Sequence, residues 1–335
     1  MYKATLANYK IIIVNKRNIL IYLLFIFFCF SVRANDVPIK SIHTIRFLQS
    51  ENIPSDDASF VIPFSRAGNL ILLKAVVDDV EGNFVLDSGC PSLVLNITYF
   101  RDYPRTSEAD DDSKGITGGI SNVEHTSIRN FKFGKKEEYN VLADLVNLGH
   151  IENAKGVKIL GLIGMHFIDD CEMIIDHEKS LIYFHIIQKN ESSTYKSKLL
   201  TDTSKYNTIP FDITDNRIIV KTQLGEKKLR LIIDCAAETN VLDSRLPNSI
   251  FDKLSVTGRV LLTGVGNKKI EALKGDLKGF KIGGKSINSL PFIVTNLEKT
   301  CFSYSGCRDG VLGFDFLSLQ KIGFNFVTHQ MYLWK

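Results

Sequence analysis

An imperfect long-range repeat constrains this chain more than any other feature of its sequence. An apolar run ends in Asp87, a similar run ends in Asp234, and the two aspartates lie 147 residues apart. Further along, a hydrophobic-hydrophobic-Gly run ends at Gly164 and is answered by one that ends at Gly313, at an offset of 149. This period is far too long for a solenoid of stacked repeats. We therefore expect each copy to form its own lobe.

Short runs of Val, Ile, Leu, Phe and Tyr, broken by Gly, Asn and Asp, fill both copies. Such runs are typical of β-strands, so the fold class is predicted to be mainly β. A stretch rich in Ser, Thr, Lys and Asn separates the copies and reads as a linker. The predicted organisation is a signal peptide (1–34), a polar leader (35–58), a first lobe (59–187), a linker (188–207) and a second lobe (208–335).

The amino terminus resembles an export signal. Basic residues up to Arg17 precede an apolar run from Ile19 to Val32, and a small-residue cleavage site ends at Ala34. Fourteen apolar positions suit a signal peptide better than a membrane span, which needs about 18 or more. We expect the protein to be exported to the periplasm, the cell surface or the medium. An uncleaved membrane anchor is the alternative, and only that alternative predicts membrane contact.

The charge balance excludes several partners. The formal net charge is +4, but the first 34 residues supply five positive charges and no acid, which leaves −1 for the rest. A nearly neutral body gives no reason to expect nucleic acid. The Gly-rich turns lack the strand, Lys-Thr and helix of a nucleotide site, and neither Cys-x-x-Cys nor His-Glu-x-x-His occurs. We predict no nucleotide, no metal and no cofactor.

The two aspartates carry the chemistry that this repeat suggests. Asp87 is followed by Ser88 and Gly89, and a strand that ends in Asp, hydroxyl residue and Gly can present a carboxylate for water activation. In the second copy Asp234 is followed by Cys235 and by alanine. The second copy has therefore kept its carboxylate and lost the hydroxyl and the glycine.

A Gly-rich turn lies about 30 residues beyond each aspartate. The first turn contains Thr117, Gly118 and Gly119, and the second contains Gly264 and Gly266. The combination of strand, aspartate, Gly-rich turn and hydrophobic-hydrophobic-Gly resembles the pepsin and retropepsin-like aspartic peptidases. It is most similar to the compact bacterial retropepsin-like members, with two fused lobes and a degenerate second lobe.

The resemblance covers nearly all of the chain after its leader, from about residue 60 to 184 and from about 208 to 334. It implies two pseudo-equivalent β-barrel lobes with a cleft between them. It further implies that Asp87 and Asp234 are catalytic and that Gly164 and Gly313 let the chain pass close behind each Asp loop. The two Gly-rich turns would act as flaps over the substrate.

The second Asp loop departs from the family pattern. A Ser or Thr after each Asp braces the pair across the lobe interface in the family; Ser88 fits this role, whereas Cys235 is a weaker hydrogen-bond donor. Gly89 fits the next position, where the family has glycine, and Ala236 does not. Support of the aspartate pair is thus expected from Ser88, Gly89, Cys235, Gly164 and Gly313.

The implied function is that of an exported, monomeric aspartic-type endopeptidase acting on peptides or proteins. Two close carboxylates share one proton, and a water activated between them attacks the scissile carbonyl. One alternative is an impaired pseudopeptidase that holds peptide in the cleft. Another is a homodimer in which two Asp87 loops meet. Separately, Cys301 and Cys307 could close a small disulfide loop in an oxidising compartment.

Overall fold

The computed structural model describes residues 58–106, 114–115, 118–119, 123–263, 269–298 and 307–335. Several sequence predictions lie outside these residues and stay predictions: the signal peptide 1–34, nearly all of the leader 35–58, Thr117, Gly264, Gly266 and Cys301.

The first half of the described chain consists mainly of short strands. Its strands are β1 (Ser59–Pro63), β2 (Ser65–Ala67), β3 (Leu70–Val77), β4 (Val80–Leu86), β5 (Leu93–Asn96), β6 (Lys114–Gly115), β7 (Gly118–Gly119), β8 (Glu124–Phe133), β9 (Lys136–Val146), β10 (Gly161–Ile163), β11 (Cys171–Asp176) and β12 (Leu181–Ile186). Its helices are Ile97–Phe100 and Gly149–Lys155, and Met165–Phe167 forms a 3-10 turn.

The second half repeats this arrangement. Its strands are β13 (Tyr206–Thr214), β14 (Arg217–Leu224), β15 (Lys227–Ile233), β16 (Val241–Asp243), β17 (Leu254–Thr263), β18 (Lys269–Ile282), β19 (Lys285–Thr295), β20 (Gly310–Leu312), β21 (Ile322–Asn325) and β22 (Gln330–Trp334). Its helices are Asn248–Phe251 and Phe314–Leu317, and 3-10 turns span Lys198–Leu200 and Thr203–Lys205.

Each half closes into a small barrel. In the first half β3, β4, β10, β5, β9 and β8 pair in that order, and β8 pairs back onto β3. In the second half β14, β15, β20, β16, β19 and β18 pair in the same order, and β18 pairs back onto β14. The two rings use corresponding strands, which confirms a mainly β fold with two lobes.

The barrels close because their strands have one face that is strongly apolar. Large side chains fill the interiors, among them Phe84 and Phe131 in the first barrel and Phe280 and Phe292 in the second, all of them buried. Burial of such aromatic side chains stabilises a core by about 1.5 to 3 kcal/mol each. The turns between strands use left-handed residues, as at Asp215, where φ is 52°.

A six-stranded layer, continuous with the sheet of the second barrel through β13 and β14, joins the two lobes. Its strand order is β1, β12, β11, β21, β22 and β13, so each lobe contributes three strands. At its centre β11 runs antiparallel to β21, with Ile174 opposite Gly323. The sheet therefore ties the lobes together through main-chain hydrogen bonds rather than through the linker alone.

Two further features concern the predicted segments. Within the predicted linker 188–207 the structure has two 3-10 turns and the start of β13, and the domain boundaries themselves stay predictions. None of the helices among the described residues combines the length and the apolar character that crossing a membrane would require.

Candidate active site

Both aspartates stand where a strand leaves its barrel. Asp87 follows β4, and its backbone amide donates to the carbonyl of Ile163 at 2.9 Å. Asp234 follows β15, and its amide donates to the carbonyl of Leu312 at 3.1 Å. In each lobe the accepting residue ends the strand that lies parallel to the Asp strand. The same short parallel pairing thus fixes both aspartates.

The glycine that follows each of these parallel strands has no room for a side chain. A Cβ on Gly164 would overlap the carbonyl oxygen of Ser92, and one on Gly313 would overlap that of Ala237. These neighbours are backbone atoms, so they cannot move aside as a flexible side chain would. The predicted close passage of the chain behind each Asp loop is therefore what the structure has at both positions.

The two carboxyl groups meet. The Asp87 and Asp234 side chains share a hydrogen bond. The amide of Gly89 donates to Asp87 Oδ1 at 2.8 Å. On the other side the amides of Ala236 and Ala237 donate to Asp234 Oδ1 at 2.9 and 3.0 Å. The pair is thus held both by its own hydrogen bond and by backbone donors from each loop.

Ser88 and Cys235 lock the two loops together in a reciprocal way. Ser88 Oγ accepts from the Cys235 amide at 3.0 Å and donates to the carbonyl of Ile233 at 3.3 Å. Cys235 Sγ accepts from the Ser88 amide at 3.2 Å and donates to the carbonyl of Leu86 at 3.1 Å. The Cys235 thiol therefore does what the Ser88 hydroxyl does: each accepts from an amide of the opposite loop and donates to a carbonyl of the opposite lobe.

Ala236 differs from Gly89 in what lies beside its α-carbon. A Cβ at Gly89 would stand 2.6 Å from Asp234 Oδ2, so a methyl group there would collide with the partner carboxylate. The Ala236 methyl packs instead against a buried apolar cluster of the first lobe that includes Leu70 and Val94. The amide hydrogen bond to the aspartate survives the exchange of glycine for alanine because it needs only the backbone.

Burial and mutual repulsion control the protonation of the pair. Burial, followed by the charge of Asp234, raises the pKa of Asp87 from 3.8 to about 8. Burial also raises the pKa of Asp234. The positive charge of Arg217 acts in the opposite direction on both groups. Two carboxyls this close cannot both ionise readily, so one proton stays on the pair near neutral pH.

The predicted flap residues are described only in part. Gly118 and Gly119 form β7, which pairs with β6 as a small antiparallel hairpin, as the sequence suggested. In the second lobe the corresponding hairpin is formed by β17 and β18, and its predicted glycines lie beyond the described residues. Whether these hairpins contact a substrate stays a prediction.

The described cysteines and histidines form no metal site. Cys307 is disulfide-bonded, and its predicted partner lies outside the described residues. Cys90, Cys171 and Cys235 are free thiols. Among the residues that the structure describes, no group of three or more His, Cys, Asp or Glu side chains could hold a metal ion.

Two contacts near the pair had not been singled out from the sequence. Arg217 acts electrostatically on both aspartates. Glu238, in the second Asp loop, binds the first lobe, since its Oε2 accepts from Lys155 Nζ at 2.5 Å and its carbonyl accepts from Asn69 Nδ2 at 2.8 Å. Counting back along the hairpin from Asp234 would have placed Arg217 opposite it. The Glu238 contacts had no sequence signal, because they join distant parts of the chain.

Two half-buried carboxyls, presented by reciprocal loops between two β-barrels, form the arrangement that the resemblance to aspartic peptidases implies. Residues 220–316 match the model of the family described as aspartyl protease. That match confirms the resemblance to retropepsin-like aspartic peptidases, and it falls on the second lobe, whose Asp loop departs most from the pattern. A comparison with curated proteins gave no match.

Proposed function

We propose that this protein is an aspartic-type endopeptidase that hydrolyses peptide bonds with a water activated between Asp87 and Asp234. The aspartyl protease domain supports a protease-like function in general. The observation that carries the specific proposal is the reciprocal lock of Ser88 and Cys235, which holds the carboxyls of Asp87 and Asp234 against each other inside one chain. Since Asp87 finds its partner in the same chain, a second Asp87 loop is not needed to complete the pair.

The chemistry follows from one proton shared by two carboxyls. The ionised carboxylate takes a proton from a water, and the water oxygen bonds to the scissile carbonyl carbon. The protonated carboxyl hydrogen-bonds the carbonyl oxygen and transfers its proton to it as the tetrahedral intermediate forms. Collapse of that intermediate breaks the C–N bond, and the leaving nitrogen takes the proton that the first carboxylate had removed. As the carbonyl re-forms, a hydroxyl of the intermediate returns its proton to the second carboxylate. The pair then returns to its starting state.

The second Asp loop argues against the pseudopeptidase alternative. Cys235 makes both hydrogen bonds of the lock, and the Ala236 amide reaches its aspartate. The two departures in sequence therefore leave the contacts to Asp234 in place. A protein that only bound peptide would have no need to keep two carboxyls against each other at the cost of partly desolvating them.

The direct experiment measures cleavage of an unfolded protein substrate between pH 3 and 8. Asp87→Asn and Asp234→Asn should each lower the rate by about 10²-fold to 10⁴-fold, the range for losing a general acid or base. Asp212→Asn is the matched control, since Asp212 lies on an exposed part of β13 beside Lys221. Activity that survives Asp234→Asn, or binding without cleavage at every pH, would refute the proposal.

We further propose that the protein acts after export. The basic and apolar segments before Ala34 support this, and so does the disulfide of Cys307, a bond typical of oxidising compartments. Sequencing the amino terminus of the mature protein from its native host tests the proposal. A terminus near residue 35 in an exported fraction is expected, and an intact Met1 in the cytoplasmic fraction would contradict it.

A further inference from the structure

The two members of the aspartate pair face different neighbours across their hairpins. In the second lobe Ile218 pairs with Ile233, the last register pair before the Asp loop. One step further along the same register, Arg217 comes to lie opposite Asp234. Directly opposite positions in an antiparallel pair have Cβ atoms about 5 Å apart. Arg217 thus starts β14 at the position facing Asp234.

The alternation of the strands places both side chains on one face. Ile218 and Ile233 belong to the main core, whereas Ile219 and Ile232 belong to a separate apolar cluster on the opposite face. With a period of two, Arg217 shares the second face with Ile219. Asp234 likewise shares that face with Ile232. The guanidinium and the carboxylate therefore emerge on the same side of the hairpin.

The corresponding position in the first lobe holds no charge. Leu72 pairs with Val85 there, so the same register brings Leu70 opposite Asp87. Leu70 is buried in the apolar cluster of the first lobe. The backbone donors differ in the same direction, since Asp234 accepts two amide hydrogen bonds, from Ala236 and Ala237, and Asp87 accepts one, from Gly89. The exchange of leucine for arginine adds a charge to this difference.

We infer that Arg217 is a positioning residue that keeps the negative charge of the pair on Asp234 and leaves the shared proton on Asp87. The inference rests on the proposed two-aspartate mechanism and deepens it. Asp234 would then be the base that accepts the proton of the attacking water. Asp87 would be the acid that hydrogen-bonds the carbonyl oxygen of the substrate.

The electrostatics of the site agree with this assignment. Of the nearby acids, Asp234 has the largest effect on Arg217, and Asp87 has a smaller one. Burial and the charge of Asp234 raise the pKa of Asp87 to about 8, so Asp87 keeps its proton at neutral pH. The other charged and titratable groups that act on this site come from several elements: Cys90, Asp144, Asp215, Cys235 and Arg308.

The first test is the pH dependence of kcat/KM. Arg217→Met removes the charge with little change in side-chain length, and Arg217→Lys keeps the charge. In the methionine variant the acidic limb should move up by about one to three pH units, the size expected when a cation leaves a carboxylate. The lysine variant should move it much less. Lys221→Met, which removes a cation on the exposed side of β14, should leave the profile unchanged.

The second test needs no activity. NMR of ¹³C-labelled aspartate carboxyls follows Asp234 alone in Asp87→Asn and Asp87 alone in Asp234→Asn. Asp234 should titrate at the lower pH, and Arg217→Met added to each variant should raise the pKa of Asp234 more than that of Asp87. Equal shifts, or the reverse order, would overturn the inference. Circular dichroism checks that each variant is folded, and Arg217→Gln, which also removes the charge, replaces the methionine variant if that one is not.

The two tests separate the inference from the proposed function. If no peptide is cleaved but Asp234 titrates first under the control of Arg217, the charge assignment stands and the peptidase proposal fails. If cleavage requires both aspartates but Asp87 titrates at a lower pH than Asp234, the peptidase proposal stands and the role inferred for Arg217 is wrong.

Discussion

The two Asp loops differ in sequence far more than in geometry. Asp-Ser-Gly in the first lobe and Asp-Cys-Ala in the second both bind the opposite loop through the residue after the aspartate. Both also supply an amide, from Gly89 and from Ala236, to their own carboxylate. What the loops need is a small side chain with a donor and an acceptor, followed by a free amide. The tripeptide is one way of meeting that need.

The largest difference between the two loops is expected when the third residue of each, Gly89 or Ala236, is replaced by the residue found in the other loop. Gly89→Ala would place a methyl group 2.6 Å from Asp234 Oδ2, and the carboxylate would have to move. A displacement of about 1 Å in a catalytic group can lower a rate by about 100-fold. Ala236→Gly should change the rate by less than about threefold, because the amide stays in place. Steady-state cleavage rates of the two variants check this.

Unchanged activity in Gly89→Ala would contradict the structural reason given for that glycine. An equally large loss in Ala236→Gly would show that the alanine methyl, packed on the first lobe, is needed to hold the second loop. Either result would show that the two loops differ in what they require at the third position, Gly89 in one and Ala236 in the other.

Truncating the two locking side chains should have a smaller effect, on stability rather than on rate alone. Ser88→Ala leaves the Cys235 amide and the Ile233 carbonyl without their partner, at a cost of about 2 to 3 kcal/mol. Cys235→Ala removes weaker sulfur hydrogen bonds and should cost about 1 kcal/mol. Urea unfolding monitored by fluorescence measures both free energies. A larger loss at Cys235 would mean that the thiol, and not the hydroxyl, is the stronger lock.

The pH dependence of stability should trace the proton on Asp87. The folded-state pKa of about 8 lies above its ordinary value of 3.8, so the folded protein binds this proton more tightly than the unfolded chain. Its contribution to stability is therefore complete below about pH 4 and is lost as the pH rises towards 8. The slope is at most about 1.4 kcal/mol per pH unit.

Asp87→Asn removes this titration and should flatten the slope between pH 5 and 8 relative to the wild-type protein. Urea unfolding at several pH values makes the comparison, with Asp212→Asn as the exposed control. A slope that is the same in Asp87→Asn and in the wild type would mean that Asp87 carries no proton in the folded state at these pH values.

Much of the fold could be predicted from the sequence because it depends on local patterns and on backbone contacts. Short strand runs predicted a mainly β fold, and the resemblance to aspartic peptidases implied the two barrels and the close passage of backbone at Gly164 and Gly313. Such requirements leave a residue-level signal in a single sequence, since only glycine satisfies them. The duplicated spacing then showed that the requirement occurs twice.

The rest depended on which distant residues become neighbours. Ala236 looked unsuitable because its loop was judged alone, but its methyl lies on an apolar cluster of the other lobe. Arg217 lies in the same hairpin as Asp234 and could have been found by counting back from it, whereas Glu238 became relevant only with the position of Lys155 in the other lobe. Side chains that meet across a lobe interface carry no periodicity, so a sequence pattern cannot show them.

The pairing of β11 with β21 means that each lobe completes the main-chain hydrogen bonds of a strand in the other lobe. A first lobe without the second would present the main-chain donors and acceptors of β11 as an open edge, and Ser88 would have no opposite loop to lock. Open strand edges invite association with another chain. Although fused in one chain, the two lobes thus behave like subunits of an obligate dimer, neither complete without its counterpart.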